Sequence, residues 1–83
     1  MLANNEIGTI EPIREVAQVV HEKSPYLHCD ATAAAGRIPI DVQATGIDLL
    51  TLSSNGLAAP PGAGVLYVRS GVRLQPILPG GGQ

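Results

Sequence analysis

The sequence has no tryptophan and no phenylalanine, and Tyr26 and Tyr67 are its only large aromatic side chains. Any core must therefore be built from aliphatic and small residues. A single cysteine, Cys29, excludes an internal disulfide framework and a cysteine-built zinc site. Charged residues make up only 14% of the chain and the formal net charge is -2, so the composition supplies no basic surface for nucleic acid or an anionic membrane. No apolar run approaches the roughly 18–20 residues of a membrane span. The opening Met1-Leu2-Ala3-Asn4-Asn5-Glu6 lacks the basic and long apolar stretches of a secretory signal. A reducing, cytoplasmic setting is the expectation.

What is present is apolar. Hydrophobic residues reach 45%, too many for a disordered tail. The 83 residues allow one small domain or a piece of a larger one, and 10 glycines and 7 prolines imply many turns. Domains near this size are marginal even with good cores. An apolar chain without large aromatics or disulfides reads as a slice of a larger α/β core.

The pattern supports that class. Pro12 suits the first turn of a helix, and Ile13, Val16, Ala17, Val19 and Val20 give the apolar face behind it. The helix is expected to stop at Ser24-Pro25, because the residue before proline avoids the α region. A strand follows at Tyr26–Asp30, then a run of small residues at Ala31–Gly36, then extended Ile38-Pro39-Ile40. Asp41 caps a short helix through Thr45, closed by Gly46. Strands are expected at Asp48–Ser53 and Val65–Arg69, with a Gly-, Ala- and Pro-rich loop between them and an irregular end from Gly71. Alternating strands and helices predict an α/β fold with a mainly parallel sheet and no internal domain boundary. Ligands gather beyond the carboxyl ends of such strands. Two of them end in polar groups, one at Asp30 and the other at Ser53-Ser54-Asn55.

In this order the residues resemble the cysteine desulfurases of the class V aminotransferase family, which use pyridoxal phosphate. The matching segments include Ala3-Asn4-Asn5-Glu6-Ile7-Gly8, His28-Cys29-Asp30-Ala31-Thr32, Gly36-Arg37-Ile38-Pro39-Ile40-Asp41-Val42, Gly46-Ile47-Asp48-Leu49-Leu50, Gly62-Ala63-Gly64-Val65-Leu66-Tyr67-Val68-Arg69 and Gly80-Gly81-Gly82-Gln83. The resemblance implies that residues 1–83 are a central part of the large domain of a fold-type I transferase. The upstream cofactor-stacking histidine and the downstream persulfide cysteine would lie outside the chain. It further implies a homodimer that takes sulfur from cysteine and passes it to an iron–sulfur scaffold protein.

By resemblance, Asp30 matches the aspartate that pairs with the pyridinium nitrogen, where an ionised carboxylate keeps the ring an effective electron sink. Asn5 matches an asparagine near the phenolic oxygen and the substrate carboxylate. Ser53 matches a phosphate-binding serine, and Asn55 stands where the family has a phosphate-holding histidine. Three departures weigh against independent activity. Gly56 occupies the position of the Schiff-base lysine, Ala33 that of the glutamine that bonds the phenolic oxygen, and Ala58-Ala59-Pro60-Pro61-Gly62 replaces Tyr-Gly-Pro-Lys-Gly. Some members of the family are similar in having Ser-Ser-Asn and no lysine. The only lysine, Lys23, is expected at the far end of the first helix, away from the cofactor. A lysine restored at position 56 is expected to form the covalent link, provided that Gly56 does not need positive φ.

The remaining candidates read as structural. Cys29 is expected to point into the core, opposite Asp30, and His21 to be a solvated helix residue. His28 and Asp30 share a face but have no third metal ligand nearby, so no metal site is expected. The glycines of Gly62-Ala63-Gly64 lack P-loop and dinucleotide spacing, and Gly80–Gly82 is at most a small anion nest at an exposed end. The functional expectation is a cysteine desulfurase-like protein in which this part alone is inactive. The alternatives are a lysine-less subunit that binds pyridoxal phosphate or acts as a scaffold, and a small autonomous α/β module that binds another anion.

Overall fold

In the computed structural model, which describes residues 1–81, the first ordered contact is made by the amino-terminal segment. The Leu2 amide donates to the Asp30 carbonyl at 2.8 Å, and Ala3 forms an antiparallel bridge with Ile10. Asn4 organises the loop between them, its Oδ1 accepting from the amides of Glu6 and Ile7. That is the local side-chain-to-backbone turn that asparagine favours.

Helix α1 runs Ile13–His21 after Pro12. It stops three residues before the expected Ser24, because the Val20 carbonyl takes both the Lys23 amide at 3.0 Å and the Ser24 amide at 2.8 Å. This tightened turn closes the helix early. Only Ile13 and Ala17 of its apolar face are buried. A Cβ on Gly46 would stand 3.3 Å from the Ala17 Cβ, so the helix seats closely on the backbone of the turn after helix α2.

Helix α2, Val42–Thr45, begins and ends as its residues dictate. Asp41 Oδ1 accepts from the Gln43 and Ala44 amides at 3.0 and 2.9 Å, and Gly46 takes φ 73° at the end. The strands are β1 (His28–Asp30), β2 (Leu49–Ser53) and β3 (Gly64–Val68), in the order β1-β2-β3. Residues 31–48 carry the chain across the sheet with α2 between, and β1 and β2 pair parallel, with Asp30 opposite Thr51. The α/β class stands. Strand β3, however, runs antiparallel to β2. Residues 54–63 hold only a single 3-10 turn, Ser54–Leu57, and a parallel return would need a longer crossover.

The core lies on the sheet face that carries Cys29 and Leu50, joined by Leu2, Ile13, Ala31, Ala34 and Ile47. Burial pushes the Cys29 thiol upward, as expected for a small core residue. The run of small residues has a packing reason. Ala31, Ala34 and Ala35 are buried, and a Cβ on Gly36 would already be 3.4 Å from the Gly56 carbonyl oxygen. The turn thus lies directly against the Ser54–Leu57 turn.

One buried polar knot ties these parts together. Asp48 is fully buried, and its Oδ2 accepts from the Leu27 amide at 2.7 Å and lies 2.8 Å from His21 Nε2. Arg69, just past β3, forms an ion pair with Oδ1. Burial pushes the Asp48 carboxyl up, but the Leu27 N–H, the His21 ring and the Arg69 charge outweigh it and hold it below the ordinary value. His21 stays solvent-exposed on α1, as expected, but its ring also has a partner. The crossover brings it to an aspartate 27 residues away.

Candidate functional site

The opposite face of the sheet is open, and it carries the chemistry. His28, Asp30, Thr51 and Ser53 share that face by register, and His28 Nε2 lies 2.7 Å from Thr51 Oγ1. Asp30 is exposed at the carboxyl end of β1. The Thr32 amide donates to its Oδ1 at 2.9 Å. This bond and one from the Thr32 side chain hold the Asp30 carboxyl below its usual range, so it is ionised at neutral pH.

Beyond the strand ends, a cavity of about 230 Å³ is lined by Asn5, Thr32, Ala33, Arg37, Ser53, Asn55 and Gly56. Five positions singled out in the sequence (Asn5, Ala33, Ser53, Asn55 and Gly56) thus meet at one place from three separate stretches of chain. Asp30 is not in the lining and stands beside it, linked through Thr32. The reason these side chains are available is local. Asn4 makes the turn bonds of its loop, which leaves the Asn5 amide toward the cavity. Ser53 precedes the 3-10 turn without capping it, so its hydroxyl is uncommitted there.

Position 56 departs from expectation in its cause. Gly56 is not among the positive-φ residues. A Cβ there would instead collide with the carbonyl oxygen of Thr32, with the carbonyl carbon at 3.5 Å and the Ala35 oxygen at 3.8 Å. The obstacle to a lysine is backbone, which cannot swing aside as a side chain can. Lys23 lies in the turn after α1 and not in the cavity lining.

Two participants were not singled out from the sequence as part of the site. Thr32 anchors Asp30 and walls the cavity, and Arg37 is the only charged residue lining it. The signal for Arg37 was its spacing, four residues after Ala33 in a turn of small residues; its Nη1 donates to the Ala33 carbonyl at 3.0 Å. The expected Gly80–Gly82 nest falls partly outside the described residues, and the Gly62–Gly64 segment is a turn leading into β3. Among the described residues, no group of three or more His, Cys, Asp or Glu side chains could hold a metal ion. No helix among them is long and apolar enough to cross a membrane.

The donor set suits a phosphorylated pyridinium. A hydroxyl and two amides can receive phosphate and ring oxygens, and an ionised carboxylate beside them can hold a protonated ring nitrogen. The set lacks an amine, and the Thr32 carbonyl leaves no space for one at residue 56.

The comparisons with known proteins agree with this chemistry. The sequence profile of Aminotransferase class-V matches residues 1–83. Cysteine desulfurase IscS 1 of Archaeoglobus fulgidus is 56% identical over 81 residues, which are 98% of this chain and 21% of that protein. A NifS-like protein from Rickettsia africae superposes with a TM-score of 0.88 at 32% identity, covering 99% of this chain and 23% of its own. SspA in complex with cysteine superposes at 0.87 with 39% identity, over 99% of this chain and 24% of that one. The chain spans about a fifth of the length of the curated relative it matches. Enzymes of this family depend on pyridoxal phosphate. With its whole length matched, the chain belongs to the class V aminotransferase family.

Proposed function

We propose that residues 1–83 form a central part of the large domain of a cysteine desulfurase-like protein, the part that holds pyridoxal phosphate. The whole protein would take sulfur from cysteine for iron–sulfur cluster assembly, as a cytoplasmic homodimer that hands the sulfur to a scaffold protein. The observation that carries this reading is the meeting of Asn5, Ser53 and Asn55 around one cavity beside the ionised Asp30.

When bound, pyridoxal phosphate supplies an electron sink for bonds broken at an amino acid. Asp30 would hold the proton on the ring nitrogen. Ser53 and Asn55 would donate to the phosphate, and Asn5 would donate to the phenolic oxygen. Residues 1–83 provide no covalent attachment, so these contacts retain the cofactor reversibly, and this part alone does not turn over cysteine.

A second reading is favoured by the Thr32 carbonyl beside Gly56. In it, the protein is a lysine-less subunit that binds the cofactor, or serves as a scaffold, without desulfurating cysteine. Both readings are tested on the full polypeptide that contains residues 1–83. Titration with pyridoxal phosphate should show saturable binding that Ser53→Ala and Asn55→Ala weaken together. Absence of saturable binding overturns the first reading and the cofactor-binding form of the second, and leaves the scaffold form or an α/β module for another anion. Release of alanine from added cysteine, with sulfide when a thiol reductant is supplied, supports the first reading, and bound cofactor without that release supports the second.

A further inference from the structure

The open face of the sheet carries a pair of side chains outside the cavity lining. Thr51 stands opposite Asp30 across the parallel strands, and its Oγ1 lies 2.7 Å from Nε2 of His28. His28 itself stands opposite Leu49, so reaching Thr51 draws its ring along the strand toward Asp30, on the same face. A hydroxyl can accept from a protonated ring nitrogen or donate to a bare one, so this contact survives in both charge states of the imidazole. His28 is exposed, and a proton can reach it. The other strand residues on this face, Leu49, Ser53, Gly64, Leu66 and Val68, bear no ionisable group, which leaves Asp30 as the charge that His28 faces there. A positive His28 favours the ionised form of Asp30, and the amino group of Met1 acts in the same direction. His28 lines no part of the cavity beyond the strand ends, so it acts on a ligand there through Asp30 and through charge, not by contact.

We propose that His28, held by Thr51, is a positioning residue whose protonation loosens the grip of Asp30 on a protonated ring nitrogen, so that cofactor retention falls in mild acid. The inference rests on the cofactor reading of the site and adds its regulation. A positive imidazole satisfies part of the Asp30 charge and repels a second cation beside it. A neutral imidazole leaves the carboxylate to the ring. Imidazoles ordinarily change charge near about pH 6.5, close to neutrality. The coupling is reciprocal: a proton on His28 that weakens cofactor binding requires the bound cofactor to weaken proton binding at His28 by the same factor.

The first measurement needs no substitution. In the full polypeptide with ring-labelled histidine, NMR follows the His28 signal across pH with and without saturating pyridoxal phosphate. The cofactor should lower the proton affinity of His28 about threefold to tenfold, the size of a partly screened interaction between charges a few ångströms apart. The second measurement is the dissociation constant of pyridoxal phosphate at about pH 8 and about pH 5.5, on either side of the imidazole range, for wild type and His28→Gln. Glutamine can still bond to Thr51 and carries no charge. The cofactor's own groups, Met1 and Asp30 titrate in both proteins, so the comparison isolates His28. Whatever its value at the higher pH, the ratio of the wild-type constant to that of the variant should rise about threefold to tenfold at the lower one. A ratio independent of pH overturns the assignment, and so does a His28 titration that the bound cofactor leaves in place. Failure of the wild type to bind pyridoxal phosphate at either pH is a distinct result, which overturns the cofactor reading and this inference with it.

Discussion

The carbonyl of Thr32 occupies the space that any side chain on Gly56 would enter. The contact joins the turn after β1 to the turn after β2. Gly56→Ala should therefore lower the denaturation midpoint, with a cost of about 1–3 kcal/mol for forcing a methyl into packed backbone. Gly64→Ala is the control, since its nearest atom, the Leu52 oxygen, would be at an ordinary 3.7 Å. Gly56→Lys should show the same loss of stability, and treatment with pyridoxal phosphate and borohydride should leave residue 56 unmodified. A stable Gly56→Lys protein labelled at residue 56 would show that this loop moves freely away from Thr32.

Hydrogen bonds from Thr32 are the main cause that holds the Asp30 carboxyl below its ordinary value, with the amino terminus and His28 adding to it. Asp30→Asn keeps an acceptor for the Thr32 amide and removes the charge. Retention of pyridoxal phosphate by the full polypeptide should weaken about tenfold to a hundredfold, corresponding to roughly 1.5–3 kcal/mol for a hydrogen bond to a charged group. Circular dichroism should be unchanged. Equal retention by wild type and Asp30→Asn would remove Asp30 from the cofactor site.

The legible parts of this chain were those whose causes are local. Asp41 and Gly46 bound helix α2 because a cap and a left-handed residue act within one turn. The inward Cys29 followed from strand alternation. The strand pattern alone put Asp30 and Ser53-Ser54-Asn55 on a common edge, and the family resemblance added Asn5. What stayed hidden depends on distant pairs. His21 meets Asp48 only through the crossover, Arg37 lines a cavity assembled from separate stretches of chain, and Gly56 meets a carbonyl in another turn. The direction of β3 lay in between, because the short connection at residues 54–63 already disfavoured a parallel return.

The apolar surface left uncovered has a measurable consequence. Ile77 and Leu78 are 95% and 91% exposed, and Val65 and Leu66 of β3 are 56% and 49% exposed. Exposed faces of this kind drive association. A polypeptide limited to residues 1–83 should sediment as a mixture of oligomers and melt over a broad range. A single monomer boundary with a sharp thermal transition would contradict this.

The Asp48 knot predicts how stability responds to acid. Its carboxyl is held below the ordinary 3.8, despite burial, by Leu27, His21 and Arg69. A group whose value is depressed by folding contributes stability that is fully present above its unfolded value and lost as pH falls through its folded one. The full polypeptide should therefore lose stability on acidification below about pH 3.8, in a step assignable to this residue. Asp48→Asn can still accept from the Leu27 amide but cannot attract Arg69 or a protonated His21. Both partners are partly solvated, with the His21 and Arg69 side chains 33% and 49% exposed, so they regain water when the charge is removed. The expected cost near neutral pH is accordingly about 1–3 kcal/mol, less than for a pair in which both charges are buried. The gap between wild type and Asp48→Asn should narrow as pH falls through the folded value, because the wild-type carboxyl is then neutral too. Urea denaturation of both proteins at a series of pH values checks this, and a gap that stays constant down to the lowest pH would show that Asp48 acts through packing and not through its charge.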